Sequence, residues 1–224
     1  MWKKCIIIFL AASFILLCAG CNKGGVEVMA EYNFETQLSE KTEEYPIGSG
    51  TTYYIAADGQ ASNDGLSPES PKPFSGIEAI ELKAGVSILL KKGDSFNGKI
   101  SFSDVSGEEQ NPITIASFGE GEKRPVISNS GTVIEFTRCS NLVIRDLCVV
   151  NTSTEEGAAH NTIWGHYSGA GNNRYENIYI INNEVMGQQC DGTGAQNSRI
   201  EIESTAASYS VCPTGLIENI YFCN

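Results

Sequence analysis

The stretch SNLVIRDLCVVN, residues 140–151, decides how the chain folds. Leu142 and Ile144 stand two positions apart, so on an extended strand they point the same way, and Asn141 and Asp146 bracket them with turn-forming side chains. The arrangement recurs. Aligning Leu142 with Ile113, Ile178 and Ile220 also aligns Ile144 with Ile115, Ile180 and Phe222, at spacings of 29, 36 and 42 residues. Such spacings suit stacked turns of chain, whose repeats run from about 20 to 45 residues with insertions collected as loops on one side. Two polar columns follow in the same register: Asn141, Asn177 and Asn219 before the strand, and Asp146, Asn182 and Asn224 after it. Amides stacked at equivalent turns can donate to the next turn of chain, a pattern that a β-sandwich does not need. These residues therefore read as structural rather than catalytic.

Outward from this repeat, residues 84–102 and 111–136 carry apolar runs of four to six residues separated by Gly, Pro and Asp, with no helical period. Tyr53 to Ala56 reads as a first strand, followed by a loop built on Asp58-Gly59 and Asp64-Gly65, which are read as turns ahead of a calcium site. Ser75-Gly76-Ile77-Glu78 fits a capping box and is expected to open a short helix reaching Leu82, laid as a lid over the first turn of chain.

At the other end, Lys3 and Lys4 precede an apolar run from Cys5 to Leu17, followed by Ala19-Gly20-Cys21. This is a secretory signal, too short for a comfortable membrane span. Residues 22–50 are polar with Gly24-Gly25 and Gly48-Ser49-Gly50, and read as a flexible tether ahead of a folded part at 51–224. Removing residues 1–21 takes away two basic residues and no acidic one, so a formal charge of -12 becomes -14. That field excludes nucleic-acid binding and repels polyuronates unless a cation intervenes. Cys139, Cys148 and Cys223 lie in or beside apolar strands and read as buried thiols, whereas Cys190 and Cys212 flank one insertion and are disulfide candidates.

With YYIAADGQASNDGLSPESPKP (53–73) ahead of them, the segments GVSILLKKGDSFNGKISF, NPITIASFGEGEKRPVIS, SNLVIRDLCVVN and ENIYIINNEV resemble the right-handed parallel β-helix proteins of the pectate-lyase-like superfamily. The resemblance covers about residues 52–224 and implies an all-β solenoid with a short N-terminal capping helix. Ala19-Gly20-Cys21 is similar to a bacterial lipobox, which implies acylation of Cys21 and a lipid-anchored protein at the cell surface or outer membrane. Members are usually longer, and Ile220 to Asn224 repeats only the start of a strand, so the chain is expected to be the N-terminal part of a longer β-helix, truncated at its C-terminal end. The implied activity is action on a polysaccharide, with β-elimination as the leading expectation. Glycoside hydrolysis on the same fold and a non-catalytic glycan-binding module are the alternatives.

Elimination needs a base next to a uronate carboxyl and a positive group or Ca²⁺ to hold the developing charge. The insertion NTSTEEGAAHNTIWGHYSGAGNNR, 151–174, gathers His160 and His166 as candidate proton carriers, with Trp164 and Tyr167 as sugar platforms. Arg145 is the candidate charge stabiliser, with pairing to Glu135 or Glu184 as its duller role, and Arg174 is a candidate substrate contact. Asp191-Gly192 is similar to an element that supplies a calcium ligand in calcium-dependent pectate lyases, which makes Asp191 the metal candidate. A hydrolase would instead need two carboxyl groups facing one bond, and Glu184, Asp191, Glu201 and Glu203 are available.

Overall fold

A computed structural model of the chain describes residues 48–154, 161–167, 177–187, 200–204 and 215–222. Its strands run β1 Thr52–Ile55, β2 Ser87–Lys91, β3 Ser95–Asn97, β4 Ile100–Ser103, β5 Ile113–Phe118, β6 Val126–Asn129 and β7 Ile134–Thr137. They continue with β8 Leu142–Arg145, β9 Cys148–Asn151, β10 Ile163–Tyr167, β11 Ile178–Met186, β12 Ile200–Ser204 and β13 Gly215–Phe222. Every ladder between them is parallel. In the larger sheet β1, β2, β5, β8 and β11 pair in sequence, and β11 is long enough for its second half to pair with β9, which continues to β6 and β3. The smaller sheet has the order β12-β10-β7-β4.

The apolar columns explain this register. Ile88 lies opposite Ile115, Ile115 opposite Ile144 and Ile144 opposite Ile180, each at most 1% exposed. Phe96, Ile127, Val149 and Val185 form a second column, and Ile100, Ile134 and Ile163 a third. All three belong to one buried cluster. Fully burying each such side chain stabilises by about 1.5–3 kcal/mol. A one-residue slip would turn a column out to solvent, so the register is strongly specified.

The corners explain the polar columns. Asn141, Asn177, Asp146 and Asn182 all have positive φ, between 51° and 59°. This left-handed conformation is one that asparagine and aspartate tolerate better than other side-chain-bearing residues. Asn177 Nδ2 donates to Asn141 Oδ1 at 2.7 Å, Asn141 Nδ2 donates to Gly107 O, and Asn182 Nδ2 donates to Asp146 Oδ1. Each side chain thus serves its own backbone and the neighbouring turn of chain. Asn177→Ala is expected to cost about 2 kcal/mol, from the lost hydrogen bond and the strained φ together. Asn177→Gly should cost less, because it removes the bond and not the conformation. Urea unfolding of both variants checks this, and an alanine variant as stable as the glycine one would contradict it.

Two expectations require correction. The fourth repeat does not fall at a 42-residue spacing, because Ile178 lies opposite Gly215, Ile180 opposite Ile217 and Val185 opposite Phe222. Asn219 is therefore level with Asn182 rather than Asn177, and Ile217 takes the place expected of Phe222. The repeated Asn-Ile-Tyr at 177–179 and 219–221 suggests the longer spacing. Pairing in that register would engage only the last three residues of β13, whereas the observed one uses its whole length. Asn224 lies outside the described residues.

The capping box at Ser75 is also absent. Residues Phe74–Ala79 form a 3-10 helix led by Pro73, with no side-chain cap. Gly76 N bonds to Pro73 O and Ile80 N to Ile77 O. These tight i→i+3 closures leave no α-helical first turn for Glu78 to complete. Phe74 nevertheless stacks on Phe96, ring centroids 5.4 Å apart, and Ile77 and Leu82 pack on the core.

Candidate functional site

The smaller sheet has the strongest claim to chemistry, because ten or more residues separate each of its last two strands from the next strand on either side. β8 and β9 are separated only by Asp146 and Leu147, whereas β10 and β12 are bounded by residues 152–162, 168–177, 187–199 and 205–214. Function concentrates on long connections carried by a rigid scaffold.

On this sheet, alternation sorts the side chains. Ile134 and Phe136 on β7 are buried, as are Ile163 and Gly165 on β10, and Ile200 and Ile202 on β12 pack on the core. Glu135 and Thr137, Trp164 and His166, and Glu201 and Glu203 therefore share the opposite face. Parallel pairing sets Glu135, Trp164 and Glu201 in one row, and Thr137, His166 and Glu203 in the next.

The rows are tied together. Trp164 Nε1 donates to Glu203 Oε1 at 3.1 Å, and His166 Nε2 lies 3.8 Å from the same oxygen. The indole and imidazole rings stack, centroids 5.3 Å apart and planes 14° from parallel. Asn161 Nδ2 donates to Glu201 Oε2, while Asn161 Oδ1 is buried without a partner among the described residues. Glu135 pairs with Lys99, and Arg138 grips Asp104 through two bonds of 2.6 Å. The Arg138 guanidinium holds the Asp104 carboxyl below its ordinary range. Among the described residues, four carboxylates, Asp104, Glu135, Glu201 and Glu203, thus meet two cations, Lys99 and Arg138, an acidic excess.

Residues 163–167 were expected within a glycine-rich loop, but they form β10. Gly165 misleads in sequence because its purpose is packing. A Cβ there would come within 2.6 Å of the Phe136 ring, which itself stacks on Phe102 at 6.2 Å. Of the candidates named from sequence, His166 and Trp164 come together as described, and Tyr167 ends the same strand. Arg145 stands on β8 in the other sheet, where its Nε donates to Asp146 Oδ2 at 2.7 Å. The pairing with Glu135 or Glu184 does not form, since Glu135 takes Lys99 and Glu184 takes Arg124. Asp146, the adjacent residue, reaches the guanidinium first.

His160, Arg174, Asp191 and Cys21 lie outside the described residues, as do Cys190, Cys212 and Cys223. No three His, Cys, Asp or Glu side chains are grouped to hold a metal among the described residues. Asp64 accepts Leu66 N at 3.0 Å, a turn contact, and Asp58 pairs with Lys91. Cys139 is a buried thiol, pushed up to about 11 by its burial, and so unreactive near neutral pH. Glu201 and Glu203 were named as available acids, but nothing in the sequence joins Glu203 to Trp164, 39 positions away.

No known protein-family model matches the chain, and no curated protein matches it in sequence. Among solved structures it is similar to the GH136 lacto-N-biosidase from Eubacterium ramulus in its selenomethionine derivative. The TM-score is 0.62 at 17% identity, over 84% of this chain and 37% of that one. The native form of that enzyme gives a TM-score of 0.53 at 16% identity, over 84% and 35%. A rhamnogalacturonan lyase gives 0.49 at 16% identity, over 77% and 51%. The chain spans little more than a third of the lacto-N-biosidase it matches. At these identities the likeness to the lacto-N-biosidase is one of fold alone, mostly β with parallel sheets.

Proposed function

We propose that this chain belongs to an exported parallel β-helix protein, anchored through acylated Cys21, that acts on a glycan at the outward face of β7, β10 and β12. Hydrolysis of a glycosidic bond is the chemistry this face supports best. The observation that carries the reading is the grouping of Glu201 and Glu203 around Trp164 and His166. Each carboxylate has one oxygen engaged, by Asn161 or by Trp164, and one without a partner among the described residues. Residues two apart on a strand have Cα atoms about 6.6 Å apart. Flexible glutamate side chains from there can bracket a bond at the roughly 5–9.5 Å carboxyl separations that glycosidases use. The glycoside hydrolase among the structural neighbours agrees with this reading.

The elimination expected from sequence fits less well. It needs a uronate and a cation beside it, whereas Lys99 and Arg138 are both held by carboxylates, and acids outnumber cations among the described residues of this face. A neutral glycan meets no such repulsion. The test is incubation of the full 224-residue chain with neutral and uronate-rich polysaccharides. New reducing ends without ultraviolet-absorbing products are expected, from the neutral glycans. Unsaturated, absorbing products that vanish with a chelator would replace hydrolysis with calcium-dependent elimination, and retention of glycan without any product would make the chain a binding module.

A further inference from the structure

A second concave site lies on the larger sheet, at the corner where the chain turns from one ladder into the next. Lys92 follows β2, Phe118 ends β5, Asp146 follows β8 and Asn182 lies within β11, so the corner stacks four layers spaced about 4.8 Å apart. Between β5 and β6 the connection runs over residues 119–125, far longer than the two-residue corner after β8. Gly119 and Gly121, at φ of 94° and 103°, arch it outward. Arg124 then ties it back across the layers, its Nη2 donating to Asn182 Oδ1 at 2.8 Å and its Nη1 pairing with Glu184. Between arch and corner lies a groove of about 360 Å³.

The groups in this groove suit a sugar. Phe118 is an aromatic wall, fixed by the edge of Tyr54 at a centroid distance of 5.0 Å. Asp146 is held by Asn182 and Arg145, and each carboxylate oxygen keeps a second lone pair for a hydroxyl donor. Lys92 brings an ammonium with no ion-pair partner among the described residues. A polyacidic peptide or phosphate would meet Asp146 and Glu122, whereas a sugar with one carboxylate places that charge at Lys92 and its hydroxyls at the acids.

We propose that this groove is a glycan-binding site, separate from the sheet face, that takes a carboxylated sugar unit with Lys92 on the carboxylate and Phe118 against the ring. It does not rest on hydrolysis at the other face: a chain that cleaves nothing can still bind here. The test uses the full chain with trigalacturonate and, as the neutral control, galactotriose, followed by calorimetry and by amide NMR shifts. Trigalacturonate should bind at least about tenfold more tightly, the scale of one charge-assisted contact, and more weakly as salt rises. Lys92→Met should remove that preference, Lys92→Arg should restore it, and circular dichroism should show all variants folded. Trp164→Ala should leave trigalacturonate binding unchanged. Absence of binding, equal binding of the two probes, indifference to Lys92→Met, or loss in Trp164→Ala would each overturn the proposal.

Discussion

Ile144→Asp is expected to abolish cooperative folding. Ile144 is fully buried, with Ile115 opposite on one side and Ile180 on the other, inside the single apolar cluster of the described residues. Its own carbonyl already accepts Asn183 Nδ2 at 2.9 Å, so the nearest amide donor is committed. An aspartate there would be a buried charge with no partner, or a protonated acid with no acceptor, and either costs several kcal/mol. The loss should exceed about 4 kcal/mol, comparable with the whole stability of a marginal domain. Ile144→Val, which deletes one methyl group, should cost about 1 kcal/mol and keep the transition. Circular dichroism during urea unfolding distinguishes them. A cooperative transition in the aspartate variant within 1 kcal/mol of the parent, an order-of-magnitude margin for surface positions, would show that Ile144 is not interior.

Glu203→Gln is the second large expected effect, and it acts on chemistry rather than on folding. The amide oxygen of glutamine can still accept Trp164 Nε1, so the stack of Trp164 on His166 should persist. What is lost is a group able to take or give a proton. If Glu203 and Glu201 are the acid and base of hydrolysis, each Gln variant should lower turnover by about 10²–10⁴ with little change in glycan affinity. Trp164→Ala should do the reverse in kind, weakening binding by removing the aromatic platform. Reducing-end release with binding measured in parallel separates the two classes. Full turnover in both glutamine variants would end the hydrolytic reading, even if Trp164→Ala still weakened retention.

Much of the ladder architecture was legible from residues alone. The columns through Ile115, Ile144 and Ile180, and the stacked pairs Asn141 with Asn177 and Asp146 with Asn182, were expected and are present. Both signals are local: alternation is a property of residues two apart, and tolerance of a positive φ belongs to the side chain that adopts it. Residues 163–167 escaped the same reading because Gly165 resembles a loop glycine until Phe136 is seen beneath it. The 37-residue step from Ile178 to Gly215 escaped because a repeated tripeptide outweighed the count of paired residues. Pairings across insertions were further out of reach. Trp164 meets Glu203 at a separation of 39, and Arg124 meets Asn182 at 58, where no local preference constrains the choice. Such partners are selected by how the intervening chain closes and which charge arrives first, and those are properties of the packed layers rather than of any neighbouring residues.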